Sequence, residues 1–140
     1  MKFKSVLDNV VYLDIETTGL HPANAELIEI GALKIKDSIQ SAFSILLKPR
    51  KQVPISIYHL CSGLKEEDLE NGHTLEEAKK MLLEFVDDLP IICHNASFEI
   101  SFFDTYIPEM KNVFLDSMEL AAILEPSRKS FNLQDLLNEI

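Results

Sequence analysis

The chain has 140 residues, 46% of them hydrophobic, and a formal net charge of −10 from 13 basic and 23 acidic side chains. This length suits one domain with a sizeable core, and the hydrophobic content excludes a disordered chain. The acidic balance argues against strong non-specific binding of nucleic acid, because that affinity comes mostly from Lys and Arg at phosphates.

The N-terminal region fits neither a signal peptide nor a membrane span, because its apolar stretch is short and is interrupted by Asp14. The spacing of Cys61 and Cys93 is unlike that of a metal or redox pair, and we expect both to be reduced, buried thiols. Residues 1–140 are therefore expected to form a single cytoplasmic domain without a membrane partner.

The first half of the chain predicts three strands in succession. Apolar or alternating residues indicate strands at 10–15, 27–36 and 41–48, and the segment 36–38 is a plausible hairpin turn. After a loop bracketed by prolines, a short irregular helix is expected over 55–64.

The second half predicts alternating helices and strands. Thr74 and Glu77 form a capping box before an amphipathic helix that Pro90 ends. The elements expected after it are a strand at 91–93, a helix carrying Phe98, Phe102 and Tyr106, a strand at 113–115, a helix capped by Ser117 that ends before Pro126, and a final helix with Leu133, Leu136, Leu137 and Ile140. Three strands followed by this alternation favour an α/β domain with a mixed sheet.

Two carboxylates stand two residues apart at the end of the first strand. Asp14 and Glu16 share one strand face, and Ile15 points to the other. Carboxylates held close together in an apolar setting are costly unless they are protonated, paired or bound to a cation. Because no Lys or Arg lies between Lys4 and Lys34, a hard divalent ion such as Mg²⁺ or Mn²⁺ is a natural partner. The alternative is a strand that emerges into solvent with two acids at the start of a loop.

Several segments add to this pair. They read DIETTGL at 14–20, ELIEIGA at 26–32, IICHNASFE at 91–99 and DSMELA at 116–121, with a closing segment at 131–140. Together they resemble the motifs of the DEDD-type exonucleases, the DnaQ-like 3′–5′ family, over nearly the whole chain. The resemblance implies a ribonuclease-H-like α/β fold, a mixed five-stranded sheet flanked by helices, truncated at its C-terminus before the last helix and the final motif.

The resemblance also implies a reaction, the hydrolysis of phosphodiester bonds at the 3′ end of single-stranded DNA or RNA during replication and repair. Two Mg²⁺ or Mn²⁺ ions, about 4 Å apart, would generate the attacking hydroxide and stabilise the leaving oxygen. Asp14 would bridge both ions, Glu16 would bind one, and Glu99 would support the second, directly or through water. A tethered or separate polymerase or helicase would supply the affinity for nucleic acid that an acidic chain lacks.

The same resemblance indicates residues near the terminal nucleotide. Backbone amides around Thr17 and Thr18 would hold it, and Ser62 occupies a place that lies near it in the family. His94 is a candidate to stack on it or to hydrogen-bond with it, and Asn95 is a candidate substrate ligand. A structural alternative stands beside each side chain. Ser62 suits a turn, His94 suits a strand-end histidine with its hydrogen bonds satisfied, and Asn95 suits a helix cap.

The sequence departs from the family in two ways. Glu99 stands where the family has Asp, and it is also explained as a first-turn acid that favours the helix dipole. None of the four His is followed by an Asp five residues later, so the family's final His and Asp are absent. By resemblance that His would be the general base and that Asp a shared metal ligand. We therefore expect the 140-residue chain to be inactive or weakly active.

Three interpretations compete. The first, which we favour, is a fragment of a longer nuclease, polymerase or helicase polypeptide with 3′–5′ exonuclease activity. The second is a non-catalytic nuclease-like module that binds a partner protein or a nucleic-acid end, and the third is another metal-dependent enzyme on the same scaffold. The reading frame after Ile140 discriminates between the first two, because it either encodes the missing His and Asp or does not.

Overall fold

The computed structural model describes residues 8–61 and 63–138. Within them five strands form one sheet, namely β1 (Val10–Thr17), β2 (Leu27–Lys36), β3 (Ile39–Leu46), β4 (Ile91–Cys93) and β5 (Phe114–Asp116). Their order across the sheet is β3-β2-β1-β4-β5. β1 pairs antiparallel with β2 and parallel with β4, so the sheet is mixed, which confirms the predicted fold class.

The β2–β3 hairpin contains the predicted turn. Lys36 pairs with Ile39, and the two residues between them, Asp37 and Ser38, have φ angles of 52° and 64°. Positive φ at both central residues is typical of a type I′ turn, whose twist matches that of the paired strands. All the predicted strands are present, and their ends shift by two residues at most.

The described part of the chain contains the helices α1 (Ile55–Leu60), α2 (Glu66–Glu70), α3 (Leu75–Val86), α4 (Ser97–Tyr106), α5 (Ser117–Leu124) and α6 (Leu133–Leu137). The predicted capping box begins α3, since the Thr74 hydroxyl accepts from the Glu77 amide and the Glu77 carboxylate accepts from the Thr74 amide. α3 ends before Pro90, at Val86, where Asp87 adopts a positive φ of 54°. None of the helices described is long and apolar enough to cross a membrane.

Two predicted helix details are wrong. The single irregular helix expected over 55–64 is replaced by α1 and α2, and α2 begins where the Asp68 carboxylate accepts from the Lys65 amide. The cap of α5 is Asp116 rather than Ser117, because the Asp116 carboxylate accepts from backbone amides of the first turn.

The main apolar core joins one face of the sheet to α3 and α4. Its buried members include Val11, Leu13, Ile15, Ala78, Leu82, Val86, Cys93, Phe102 and Phe103. Cys93 is therefore buried as expected, whereas the thiol-bearing Cys61 is only half-buried, which corrects the prediction for that residue. Because alternate β1 residues enter this core, the residues between them face the opposite side of the sheet.

Candidate metal centre

The end of β1 presents two carboxylates on the face opposite the core. Leu13 and Ile15 are each 5% exposed, whereas Asp14 and Glu16 are exposed. The strand therefore sorts its side chains as the sequence predicts: apolar groups enter the core, and both acids point away from it. The shared face brings the two acids together without any contribution from distant residues.

The neighbouring strand adds a third carboxylate that the sequence analysis missed. In the antiparallel register Glu29 lies directly opposite Glu16, and Gly31 lies opposite Asp14. Glu29 is half-buried, and burial, followed by the charges of Glu16 and Asp14, raises its pKa. This pairing could not be predicted from local patterns, because the loop between β1 and β2 is too long to set the register.

Glu99 approaches the same site from the first turn of α4. Its side chain is almost fully buried, at 3% exposure, and its Oε2 atom has no hydrogen-bond partner. Burial raises its pKa to about 7, and the charges of Asp14 and Asp116 add to the shift. The carboxylate thus faces the acidic end of the sheet rather than bulk solvent, although the sequence places Glu at a position where the family has Asp.

Asp116, at the end of β5, fixes the backbone around Glu99. Its carboxylate accepts from the amides of Asn95 and Ala96 at 3.0 and 2.9 Å, and from Met118 at 2.8 Å. Partial burial alone would raise the pKa of Asp116, but these amide donors lower it below its usual value. The residue therefore ties the turn before α4 to the start of α5. It lies in a segment that matches the family motifs, but its role depends on tertiary contacts.

Cys61 is a second residue that the sequence analysis did not connect with the site. Its thiol donates to Glu16 Oε2 over 3.3 Å. Burial, followed by the contact with Glu16, raises the pKa of this thiol to about 11, so it stays protonated at neutral pH and remains a donor. Cys61 thereby restrains one oxygen of the Glu16 carboxylate.

The two threonines after Glu16 are engaged in the loop itself. The Thr17 hydroxyl donates to the Gly19 carbonyl at 2.6 Å. The Thr18 amide donates to the Glu26 carbonyl, and the Thr18 hydroxyl accepts from the Glu26 amide. The Thr18 amide is thus bonded across the loop, and the expectation that backbone amides around Thr17 and Thr18 hold a nucleotide stays a prediction.

The three remaining predicted contacts differ in outcome. His94 has both ring nitrogens engaged, with Nδ1 2.9 Å from Ser117 Oγ and Nε2 2.7 Å from the Phe131 carbonyl, which matches its structural alternative. Asn95 is not the cap of α4, because Ala96 holds that position without a side-chain cap bond. Its side chain instead accepts from Ser97. Ser62 lies outside the described residues.

The described residues fit a divalent cation as a partly formed site. Across 8–61 and 63–138 no group of three or more His, Cys, Asp or Glu is close enough to hold a metal by itself. Mg²⁺ is commonly held by one or two carboxylates, with water and substrate phosphate completing its shell. Asp14 and Glu16, two carboxylates on one strand face, match that donor set. No basic side chain in these ranges forms an ion pair with the four acids Asp14, Glu16, Glu29 and Glu99.

Comparison with known sequences assigns the chain to a family. A sequence model of the exonuclease family matches residues 11–140. The chain belongs to the exonuclease family. This confirms the predicted resemblance to DnaQ-like 3′–5′ exonucleases, a family that depends on divalent metal ions.

Individual relatives place this exonuclease domain beside much longer proteins. It is 36% identical over 132 residues to a DNA polymerase III PolC-type of Clostridium perfringens, covering 90% of this chain and 9% of that protein. It is 31% identical over 148 residues to the PolC-type polymerase of Thermotoga petrophila, covering 100% of this chain and 11% of the relative. The chain thus spans about a tenth of the length of the curated relatives it matches.

Solved structures agree on the fold of the exonuclease domain. A product-bound exonuclease I superposes with a TM-score of 0.73 at 16% identity, covering 94% of this chain and 38% of that one. The E. coli exonuclease I in complex with a dA16 oligonucleotide gives a TM-score of 0.71 at 17% identity, covering 94% of this chain and 35% of that one. At this level of identity the likeness establishes the architecture alone.

Proposed function

We propose that this chain forms the metal-binding core of a 3′–5′ exonuclease that hydrolyses phosphodiester bonds at nucleic-acid 3′ ends with Mg²⁺ or Mn²⁺. The observation that carries the proposal is the Glu99 carboxylate, buried with one oxygen unpartnered and electrostatically coupled to Asp14. A buried carboxylate without a partner is costly, and the cost is relieved by a bound cation. The family membership supplies the reaction class.

In this proposal the carboxylates hold the cations and the surrounding residues hold the carboxylates. Asp14 and Glu16 bind from the end of β1, and Glu99 binds or supports from α4. Cys61 restrains Glu16 through its thiol, and Asp116 fixes the turn that carries Glu99. When bound, the ions supply the Lewis-acid charge that activates water and neutralises the leaving oxygen.

A cavity beside Asp14 offers space for the end of a nucleic-acid strand. It has a volume of about 670 Å³ and is lined by residues that include Tyr12, Gly31, Ile92 and His94. Since both ring nitrogens of His94 are engaged, its contribution there is a ring surface rather than a hydrogen bond. We infer that recognition in this cavity comes mainly from the cations and from apolar contact.

The proposed domain lacks two properties that the reaction needs, a general base and firm binding of phosphates. Its four His lack an Asp five residues on, so a general base has to come from outside these 140 residues. Its net charge of −10 also disfavours a firm grip on phosphates. The relatives are DNA polymerases by name. We therefore propose that a polymerase on the same chain, or bound to it in the cytoplasm, presents the strand.

The test measures Mn²⁺ binding by water-proton relaxation, and trimming of 3′-labelled single-stranded DNA and RNA. We expect the 140-residue chain to bind Mn²⁺ and to trim slowly, since a missing general base typically costs about 10²–10⁴-fold in rate. Asp14→Ala should abolish both signals, and Asp88→Ala, an exposed acid in the turn after α3, should change neither. Binding that survives in Asp14→Ala refutes the site.

A second candidate is a module that grips a nucleic-acid end without cutting it. It predicts Mn²⁺-dependent binding of an oligonucleotide with no trimming. Joining the chain to a family segment that supplies a His and an Asp at five-residue spacing separates the two candidates. Restored trimming supports the nuclease, whereas unchanged binding without trimming supports the module.

A further inference from the structure

We propose that Glu29 is an outer carboxylate of the metal site, which accepts hydrogen bonds from water bound to a cation held by Asp14 and Glu16. Glu29 is a positioning residue in this role, because it orients the hydration shell rather than touching the reacting atoms. The inference rests on the proposed function and adds to it a fourth carboxylate that the motif resemblance did not indicate.

The sheet register places Glu29 at the site. Directly opposite residues of antiparallel strands have Cβ atoms about 4.5–5.5 Å apart, and their side chains leave the same face. Glu16 and Glu29 form such a pair, the last before the register shifts between Glu16 and Thr17. Once this register is set, the length of the loop between the strands does not change the face of the sheet on which either side chain lies.

Gly31 leaves space beside the pair. It lies opposite Asp14, and a Cβ atom added to it would meet nothing within 4 Å. The sheet surface here consequently carries three carboxylates around one position without a side chain. Gly31 therefore contributes no side chain that would fill the space beside Asp14.

The charges of these residues are not balanced within the described protein. Like charges placed directly opposite each other destabilise a sheet. Residues 8–61 and 63–138 provide no ion pair to Glu16 or Glu29, and no hydrogen bond to the Glu29 carboxylate. Independently, the Oε2 atom of the deeply buried Glu99 is unpartnered and lies within the electrostatic reach of Asp14. Two elements, β2 and α4, thus carry carboxylates that interact electrostatically with Asp14.

The spacing of the acids favours an outer role for Glu29 over direct coordination. The described residues include no set of three acidic, His or Cys side chains close enough to bind one ion together. Mg²⁺ dehydrates reluctantly and usually keeps several waters. A carboxylate one layer away from the ion can accept hydrogen bonds from those waters, and such outer partners tune the affinity of the ligands that touch the metal.

The test compares Glu29→Gln with Glu84→Gln, a matched change at an exposed acid on α3, in the 140-residue chain. We expect Glu29→Gln to weaken Mn²⁺ binding about 10-fold to 100-fold, the range for outer-shell partners, and Glu84→Gln to leave it unchanged. Glu29→Asp, which keeps the charge, should recover part of the affinity and serves if the Gln variant does not fold.

Thermal melting supplies a readout that a purely structural role would not produce. Without metal, Glu29→Gln should melt at a higher temperature than the original chain, because it removes the repulsion from Glu16. Saturating Mn²⁺ should raise the melting temperature of the variant by less than it raises that of the original chain. Equal Mn²⁺ affinity in Glu29→Gln, while Asp14→Ala has lost binding, overturns this inference alone. If Asp14→Ala also binds normally, the proposed function fails with it.

Discussion

Replacing Glu99 by Gln should remove the pH dependence that this residue gives to the stability of the metal-free protein. Burial, with help from the charges of Asp14 and Asp116, raises the pKa of Glu99 from its ordinary 4.5 to about 7. The folded state therefore binds this proton more tightly than the unfolded state does. The resulting stability is complete below pH 4.5 and is lost as the pH rises through 7.

The size of the effect follows from the two pKa values. A difference of 7 minus 4.5 corresponds to about 3–4 kcal/mol at the rate of about 1.4 kcal/mol for each pH unit. Between pH 5 and pH 8 the linkage relation gives a loss of about 2–3 kcal/mol from this group. Domains of this kind are stable by roughly 5–15 kcal/mol, so the loss is a large fraction of the total.

Urea unfolding in EDTA at pH 5, 6, 7 and 8 measures this difference directly. Relative to the original chain, the free energy of unfolding of Glu99→Gln should rise by about 2–3 kcal/mol between pH 5 and pH 8. The comparison across pH cancels the constant cost of burying an amide in place of a carboxyl group. Glu84→Gln, on the exposed face of α3, serves as the control and should follow the original chain. If the free energy of unfolding changed with pH in the same way for Glu99→Gln and for the original chain, the reasoning would be refuted.

Three further substitutions test the supports of the site and of the fold by thermal or urea unfolding. Asp116→Ala should cost about 2–4 kcal/mol, because several backbone amides lose a charged acceptor, and a change below about 0.5 kcal/mol would contradict the role assigned to that carboxylate. Thr74→Ala should cost about 1 kcal/mol through loss of the α3 cap, and an unchanged midpoint would show that the cap is dispensable. Gly72→Ala should cost about 1–3 kcal/mol or more, because its Cβ would lie 2.8 Å from the backbone of Leu47 and Lys48, whereas a neutral result would mean that this backbone shifts freely.

The sequence predicted the features of this fold that depend on local patterns. The alternation in β1 indicated which side of the strand carries Asp14 and Glu16, and the capping box indicated the start of α3. The HNASFE segment placed Glu99 in the first turn of α4, where the structure also has it. Each of these conclusions uses residues that lie within a few positions of one another, so no tertiary information is required.

The features that were missed depend on contacts between distant residues. Glu29 faces Glu16 only because of a register that the connecting loop does not determine. Cys61 meets Glu16 across 45 positions of sequence, and Asp116 meets the turn before α4 across about 20. His94 shows the same limit, since its partner carbonyl at Phe131 is 37 residues away. Periodicity and capping rules describe residues that are close in sequence, so they do not predict such long-range contacts.

The short pairing between β1 and β4 has a consequence for how this domain can change in evolution. In the described chain β1 pairs with β2 through Thr17, whereas its register with β4 covers Val11 and Tyr12. The acidic end of β1 consequently extends past the part of the sheet that is paired on both sides. Substitutions at that end change the metal site before they change the stability of the fold. Substitutions at Asp14 or Glu16 therefore leave unchanged the residues Val11 and Tyr12, through which β1 pairs with β4.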